Sequence, residues 1–163
     1  MKLSLTLNGE ETVLEARPDE RLLDVLRREG LVSAKEGCAQ GRCGACAVLL
    51  DGKPVPSCIV RAGLVSGSSV ETLEGFSKSE HYEDIMRGFG QAGIRLCGYC
   101  DAGRILTAYS VIATCPRPDR AQLEAATAHM TCCCTESETY LNGIMYAVAL
   151  SHKRAAGSGR HGR

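Results

Sequence analysis

EGCAQGRCGACAVLLDGKPVPSC, residues 36–58, holds four cysteines whose spacing decides how the first half of the chain is read. Cys38, Cys43 and Cys46 follow C-x4-C-x2-C, and Cys58 comes after eleven further residues. Three thiols on one tight loop can wrap one side of a metal centre while a fourth arrives from the next strand. Gly37, Gly41 and Gly44 let the backbone turn freely and approach closely, so that N–H groups point at the sulfurs.

This spacing is that of a plant-type [2Fe–2S] ligand set. A cluster of inorganic sulfide and four thiolates is anionic in both redox states, which is why inward-pointing N–H groups matter. The competing reading is a zinc knuckle or a reactive-thiol cluster. Zinc sites more often show two C-x2-C halves or a histidine partner, and no histidine lies near this stretch.

The flanks fit that context. KLSLTLNGEETVLEA alternates around Asn8-Gly9, a two-residue hairpin signal, with Leu3, Leu5 and Leu7 on one face and Thr12 to Ala16 returning. Pro18 and Asp19 open a helix whose apolar stripe is Leu22, Leu23, Val25 and Leu26, and Gly30 stops it. Ala47 to Leu50 reads as a strand, Asp51-Gly52 as its turn, Val55 to Val60 as the return and Ser69 to Leu73 as a last strand. EGFSKSE, residues 74–80, reads as a polar linker. Helices are expected at 80–92, 102–114, 120–128 and 138–150. Asp101 would cap the second, and Asp119 with Gln122 and Thr135 with Glu138 look like capping boxes.

The helical half has its own cysteines. Cys97 and Cys100 form C-x2-C around Gly98; thirty-one residues later come Cys132, Cys133 and Cys134. A C-x2-C turn is a common metal half-site. A thioredoxin-like reading needs a βαβ setting that this region lacks, while zinc held by four cysteines competes on spacing alone.

The chain of 163 residues carries 19 basic and 19 acidic residues, which argues against nucleic acid or a charged membrane surface as partner. It has no apolar run long enough for a membrane span, and its N-terminus lacks the apolar core of a secretory signal. A cytoplasmic location follows. There the ten cysteines are kept reduced, so metal binding is a better explanation than disulfides.

Together, EGCAQGRCGACAVLLDGKPVPSC, LCGYCDAGRILTAY and CCCTESETYLNGIMYAV resemble the iron–sulfur subunit of the molybdenum hydroxylases, the xanthine dehydrogenase, aldehyde oxidoreductase and carbon monoxide dehydrogenase family. The resemblance covers residues 2 to 150. It implies an α+β chain: a plant-type ferredoxin-like β-grasp domain over 1–76 and a four-helix-bundle [2Fe–2S] domain over 77–152; the tail, 153–163, has no apolar face and reads as disordered. The resemblance implies two clusters, one on Cys38, Cys43, Cys46 and Cys58 and the other on Cys97, Cys100, Cys132 and Cys134, with Gly37, Gly41, Gly44 and Gly98 shaping the loops. Cys133 falls where the family often carries arginine. The job implied is electron transfer, one electron at a time, from a molybdenum–pterin centre in a large partner subunit through the bundle cluster and then the β-grasp cluster, usually to FAD in a third subunit. The chain itself contributes no catalytic residue.

Departures from the family pattern gather at the second site. Leu96 stands where a pterin-contacting glutamine is common, Asp101-Ala102 where Thr-Pro is, His129-Met130-Thr131 where Gly-Asn-Leu is, and Glu136-Ser137 where Gly-Tyr is. The change at 96 removes a hydrogen bond and leaves open a different pterin nucleotide, a shifted cofactor or a contact from the partner. His129 reads as a histidine at a helix C-terminus, not a fifth ligand. Cys115 reads as a free thiol, and Met86 and Met145 as core. Glu80, Glu83 and Asp84 read as a solvated face. Two other functions compete: a stand-alone ferredoxin-like shuttle with a helical docking domain, and a zinc protein of structural or regulatory role.

Overall fold

The computed structural model describes residues 1–130 and 132–158. The departure at Thr131 and the tail residues 159–163 lie outside them. Five strands form one mixed sheet in the order β2-β1-β5-β3-β4. Strand β1 (Lys2–Leu7) pairs antiparallel with β2 (Glu10–Glu15) and parallel with β5 (Ser69–Glu71). Strand β3 (Ala47–Leu50) pairs antiparallel with both β4 (Lys53–Pro56) and β5. Asn8 and Gly9 at one hairpin tip, and Asp51 and Gly52 at the other, all have positive φ. Both are therefore the two-residue turns whose twist matches the strands.

Helix α1 (Leu22–Arg28) lays Leu22, Leu23, Val25 and Leu26 against Leu3, Leu5, Leu14, Val48 and Val70. The helical half comprises α3 (Glu80–Gln91), α4 (Asp101–Thr114), α5 (Arg120–Thr127) and α6 (Ser137–Ser158). Gly88 on α3 is a close-approach position: a side-chain carbon there would lie 2.5 Å from the Ala147 nitrogen of α6. Strand β3 joins the two halves. Val48 faces the core of the sheet and α1, while Ala47 and Leu49 belong to the core of the helical half.

Several local expectations change. The segment read as a linker begins with a turn of helix, α2 (Leu73–Phe76), because Phe76 is buried and stacks its ring near Tyr82 and Tyr109. Strand β4 ends at Pro56, short of the expected return to Val60, and the Ile59 N–H donates to the Pro56 carbonyl in a turn. Asp101 is the first residue of α4, not its cap; its carboxylate accepts from the Gly98 N–H at 3.1 Å. Helix α6 starts at Ser137, so Thr135 is not its cap residue, whereas the Asp119–Gln122 capping box is present on α5.

The tail expected to lack structure from 153 onward is helical to Ser158. The buried stripe Ile144, Ala147, Val148 and Ser151 leads to Arg154, whose guanidinium bonds Asp84 at 2.8 Å and Glu80 on α3. That contact also corrects the solvated-face reading of Asp84, which is buried. Met86 packs on the helical core as expected, but Met145 is exposed.

Candidate iron–sulfur sites

The loop between α1 and β3 shapes the first site. Gly41 and Gly44 adopt positive φ, as does Ala39. Gly37 leaves room for sulfur: a side-chain carbon there would sit 2.6 Å from Cys43 Sγ. The backbone N–H groups of Gln40, Arg42 and Cys43 all donate to Cys38 Sγ, at 3.4, 3.2 and 3.4 Å. These three donors pull the Cys38 thiol down to about 6, as amides aimed at an anion do. Cys43 Sγ in turn accepts from the Cys38 N–H at 3.4 Å. Cys46 and Cys58 form the second pair, in hydrogen-bonding contact with each other, and burial pushes Cys46 up to about 11. Cys58 lies in the turn after β4, held by Ser57, whose N–H and hydroxyl both donate to the Cys46 carbonyl.

The second site forms where two helices begin. Cys100 is the residue before α4, and Cys132 to Cys134 lead into α6. Cys100 Sγ and Cys132 Sγ are 4.0 Å apart. Cys97 and Cys134 are in side-chain contact. Burial pushes Cys100 up to about 11. Its bonding to Cys133, then to Cys97, takes Cys134 up to about 12. Burial would also raise Cys132, yet its thiol is lowered, because the amides of Cys134 and Thr135 and the cation of Arg104 outweigh that effect. Cys133 is exposed, with its Sγ 3.8 Å from Cys134.

Cys38 lies against Cys43 and Cys46 against Cys58 at the first site; at the second, Cys100 lies against Cys132, while Cys134 touches both Cys133, 3.8 Å away, and Cys97. A structural zinc site draws four ligands around one ion. Four thiols at each site would suit a [2Fe–2S] cluster, which takes four protein thiolates. The groups around the thiols fit an anionic centre: amides aimed at Cys38 at the first site, a buried arginine against Cys132 at the second.

Three residues that matter here carried no sequence signal as site residues. Gly103, in the first turn of α4, lies against Gly44: a side-chain carbon at 103 would be 2.5 Å from the Gly44 carbonyl oxygen. Tyr99, inside the C-x2-C turn, donates its hydroxyl to the Glu36 carbonyl at 3.1 Å. These two contacts bring the cysteine loops of the two halves together. Arg104, also on α4, is buried and donates to Cys132 Sγ at 3.1 Å. Spacing alone did not reveal any of them, because each acts across a long sequence separation.

The other residues singled out in the sequence have ordinary structural places. Leu96 packs on the helical core. His129 is exposed in the turn after α5. Cys115 ends α4 with its thiol 3.3 Å from the Gln122 side-chain oxygen. Glu136 and Ser137 are exposed at the start of α6.

Comparison with known proteins covers both halves. Residues 5–71 match the 2Fe-2S iron-sulfur cluster binding domain family, and residues 72–145 match the [2Fe-2S] binding domain family. The nicotinate dehydrogenase small FeS subunit of Eubacterium barkeri is 39% identical over 147 residues, spanning 90% of this chain and 94% of that protein. The xanthine dehydrogenase iron-sulfur-binding subunit of Escherichia coli is 32% identical over 146 residues, spanning 88% and 91%. Among solved structures, quinoline 2-oxidoreductase from Pseudomonas putida 86 contains a chain that superposes with a TM-score of 0.85 and 38% identity, covering 94% of this chain and 96% of that one.

Proposed function

Since the chain belongs to the iron–sulfur small subunits of the molybdenum hydroxylase family, we propose that eight of its cysteines hold the two [2Fe–2S] clusters of an electron relay. It is the electron-carrying subunit of a molybdenum-containing oxidoreductase, and its function is to pass electrons from the molybdenum subunit to an acceptor. When bound, each cluster takes up and gives out one electron, which splits a two-electron oxidation into single steps.

This chain's own residues hold and insulate the path. Cys38, Cys43, Cys46 and Cys58 are the ligands of the first cluster, and Cys97, Cys100, Cys132 and Cys134 those of the second. Gly37, Gly41 and Gly44 keep the first loop close, and Gly98 gives its N–H to Asp101, which fixes the second turn. The Gly44–Gly103 contact and the Tyr99–Glu36 hydrogen bond hold the two sites against each other. The observation that carries the reading is that each half gathers its own set of cysteines, with amides aimed at Cys38 in one and Arg104 against Cys132 in the other.

We assign the units as 1–76 and 77–152, the order of transfer as second cluster then first, and the acceptor as FAD on a further subunit. We also place the complex in the cytoplasm, where thiols stay available for iron. No described helix is long and apolar enough to cross a membrane. A stand-alone shuttle is not favoured, because the relatives above are subunits of dehydrogenases.

A cysteine series tests the ligand assignment. Cys133→Ser keeps both reduced-cluster EPR signals, whereas Cys132→Ser or Cys134→Ser removes or distorts the second and spares the first. Loss of a signal in Cys133→Ser would show that the register of the CCC segment is wrong.

A further inference from the structure

Arg104 is 2% exposed, yet no carboxylate pairs with it among the described residues. Its guanidinium carbon lies 4.2 Å from the centroid of the Tyr140 ring, and Nη1 donates to Cys132 Sγ at 3.1 Å. The Tyr140 hydroxyl donates back to the Arg104 carbonyl at 2.8 Å, so ring and arginine fix each other. Arg104 Nε is buried with no hydrogen-bond partner. A cavity of about 30 Å3 beside the guanidinium, also lined by Met130, Cys132, Thr135 and Tyr140, has room for a water. A water is neutral and leaves the charge uncompensated.

Burying a cation without a counter-charge is costly. Arginine keeps its proton under all ordinary conditions, so it cannot escape the cost by neutralising. The compensating negative charge must therefore lie on the thiolate side. An aromatic face relieves part of the cost but does not replace an anion.

We propose that Arg104 is a positioning residue that raises the reduction potential of the second cluster through its buried, permanent charge held against Cys132. This rests on reading Cys97, Cys100, Cys132 and Cys134 as a cluster site. Reduction adds one electron, supplied by substrate oxidation at the molybdenum subunit. No bond forms or breaks at Arg104, and its proton stays in place. A fixed cation interacts more strongly with the extra negative charge of the reduced state than with the oxidised state, so it favours reduction. Its hydrogen bond to the ligand sulfur acts in the same direction, because bonds to cluster sulfurs tune the potential.

The test is an EPR-monitored potentiometric titration of the assembled complex carrying wild-type chain, Arg104→Gln or Arg104→Lys. In Arg104→Gln the reduced-to-oxidised ratio of the second cluster at a fixed potential falls at least tenfold, about 59 mV for a one-electron couple. Arg104→Lys stays nearer wild type, and the first cluster does not move. The shift persists at high salt, since the charge is shielded from counter-ions. An unchanged or raised second-cluster potential in Arg104→Gln overturns the proposal. If Arg104→Gln loses the second cluster, Arg104→Lys decides: a retained cluster near the wild-type potential supports the charge, and a lost cluster or a potential tenfold or more displaced rejects it. A wild-type complex with only one cluster signal overturns the functional reading itself.

Discussion

Gly103 carries hydrogen where any other residue carries carbon, and that difference keeps two cysteine loops in contact. Gly103→Ala sets a methyl 2.5 Å from the Gly44 carbonyl oxygen, where the obstacle is backbone and cannot rotate aside. The cost is about 1–3 kcal/mol, as for other overpacking changes. It reads out as a lower Tm and slower electron passage between the clusters, with both clusters still present; an unchanged Tm would contradict the packing argument. The C-x4-C-x2-C and C-x2-C groups stood out in the sequence because their spacing is local, whereas the choice of Cys132 and Cys134 within the CCC run came from the family resemblance. Arg104 was not legible, because an arginine in a first helical turn reads as a solvated charge. Only the Tyr140 ring, brought over from α6, and the Cys132 loop make it a buried one.

Among the elements, α2 and the end of α6 show why boundaries were harder to read than strands. The hairpin Asn8-Gly9 and the stripe on α1 announce themselves through turn chemistry and periodicity. Phe76 is one apolar residue in a polar stretch, and its burial depends on partners elsewhere in the chain. The last turns of α6 are anchored by an ionic contact from Arg154 to α3, which leaves no apolar pattern to detect. A similar polar contact ties α2 to the loop after α1: the Glu74 carboxylate accepts from both the N–H and the hydroxyl of Ser33. Burial alone would raise the Glu74 carboxyl, but these donors hold it below its ordinary value. A carboxyl lowered in the folded state adds stability above the ordinary carboxylate range and loses it as pH falls through the lowered value. Glu74→Gln therefore lowers stability near neutral pH by about 1–2 kcal/mol. The gap to wild type closes as pH falls through that lowered value, where the wild-type carboxyl is protonated too. Half-buried Glu71 is pushed up by burial and works in the opposite sense. The difference between variant and wild type in Tm against pH, not the wild-type curve alone, is thus the measurement, and a gap that stays constant down to low pH would contradict it.

At the scale of the whole molecule, β3 makes two units behave as one relay. Its alternate residues enter two different cores, Val48 in that of the sheet and Ala47 with Leu49 in that of the helices. Sequence reading placed a β-rich half before a helical half and gave each a cysteine set, but a strand serving both cores looks like any fully apolar strand. What the fold adds is contact between the two cysteine loops, and that contact turns two binding sites into a path. The central claim is that both sites hold two-iron clusters, and metal and acid-labile sulfide analysis of the purified complex tests it most directly. The account predicts about four irons and about four sulfides per chain, with two distinct reduced-cluster EPR signals. Zinc in place of iron, or iron and sulfide sufficient for one cluster only, would contradict it.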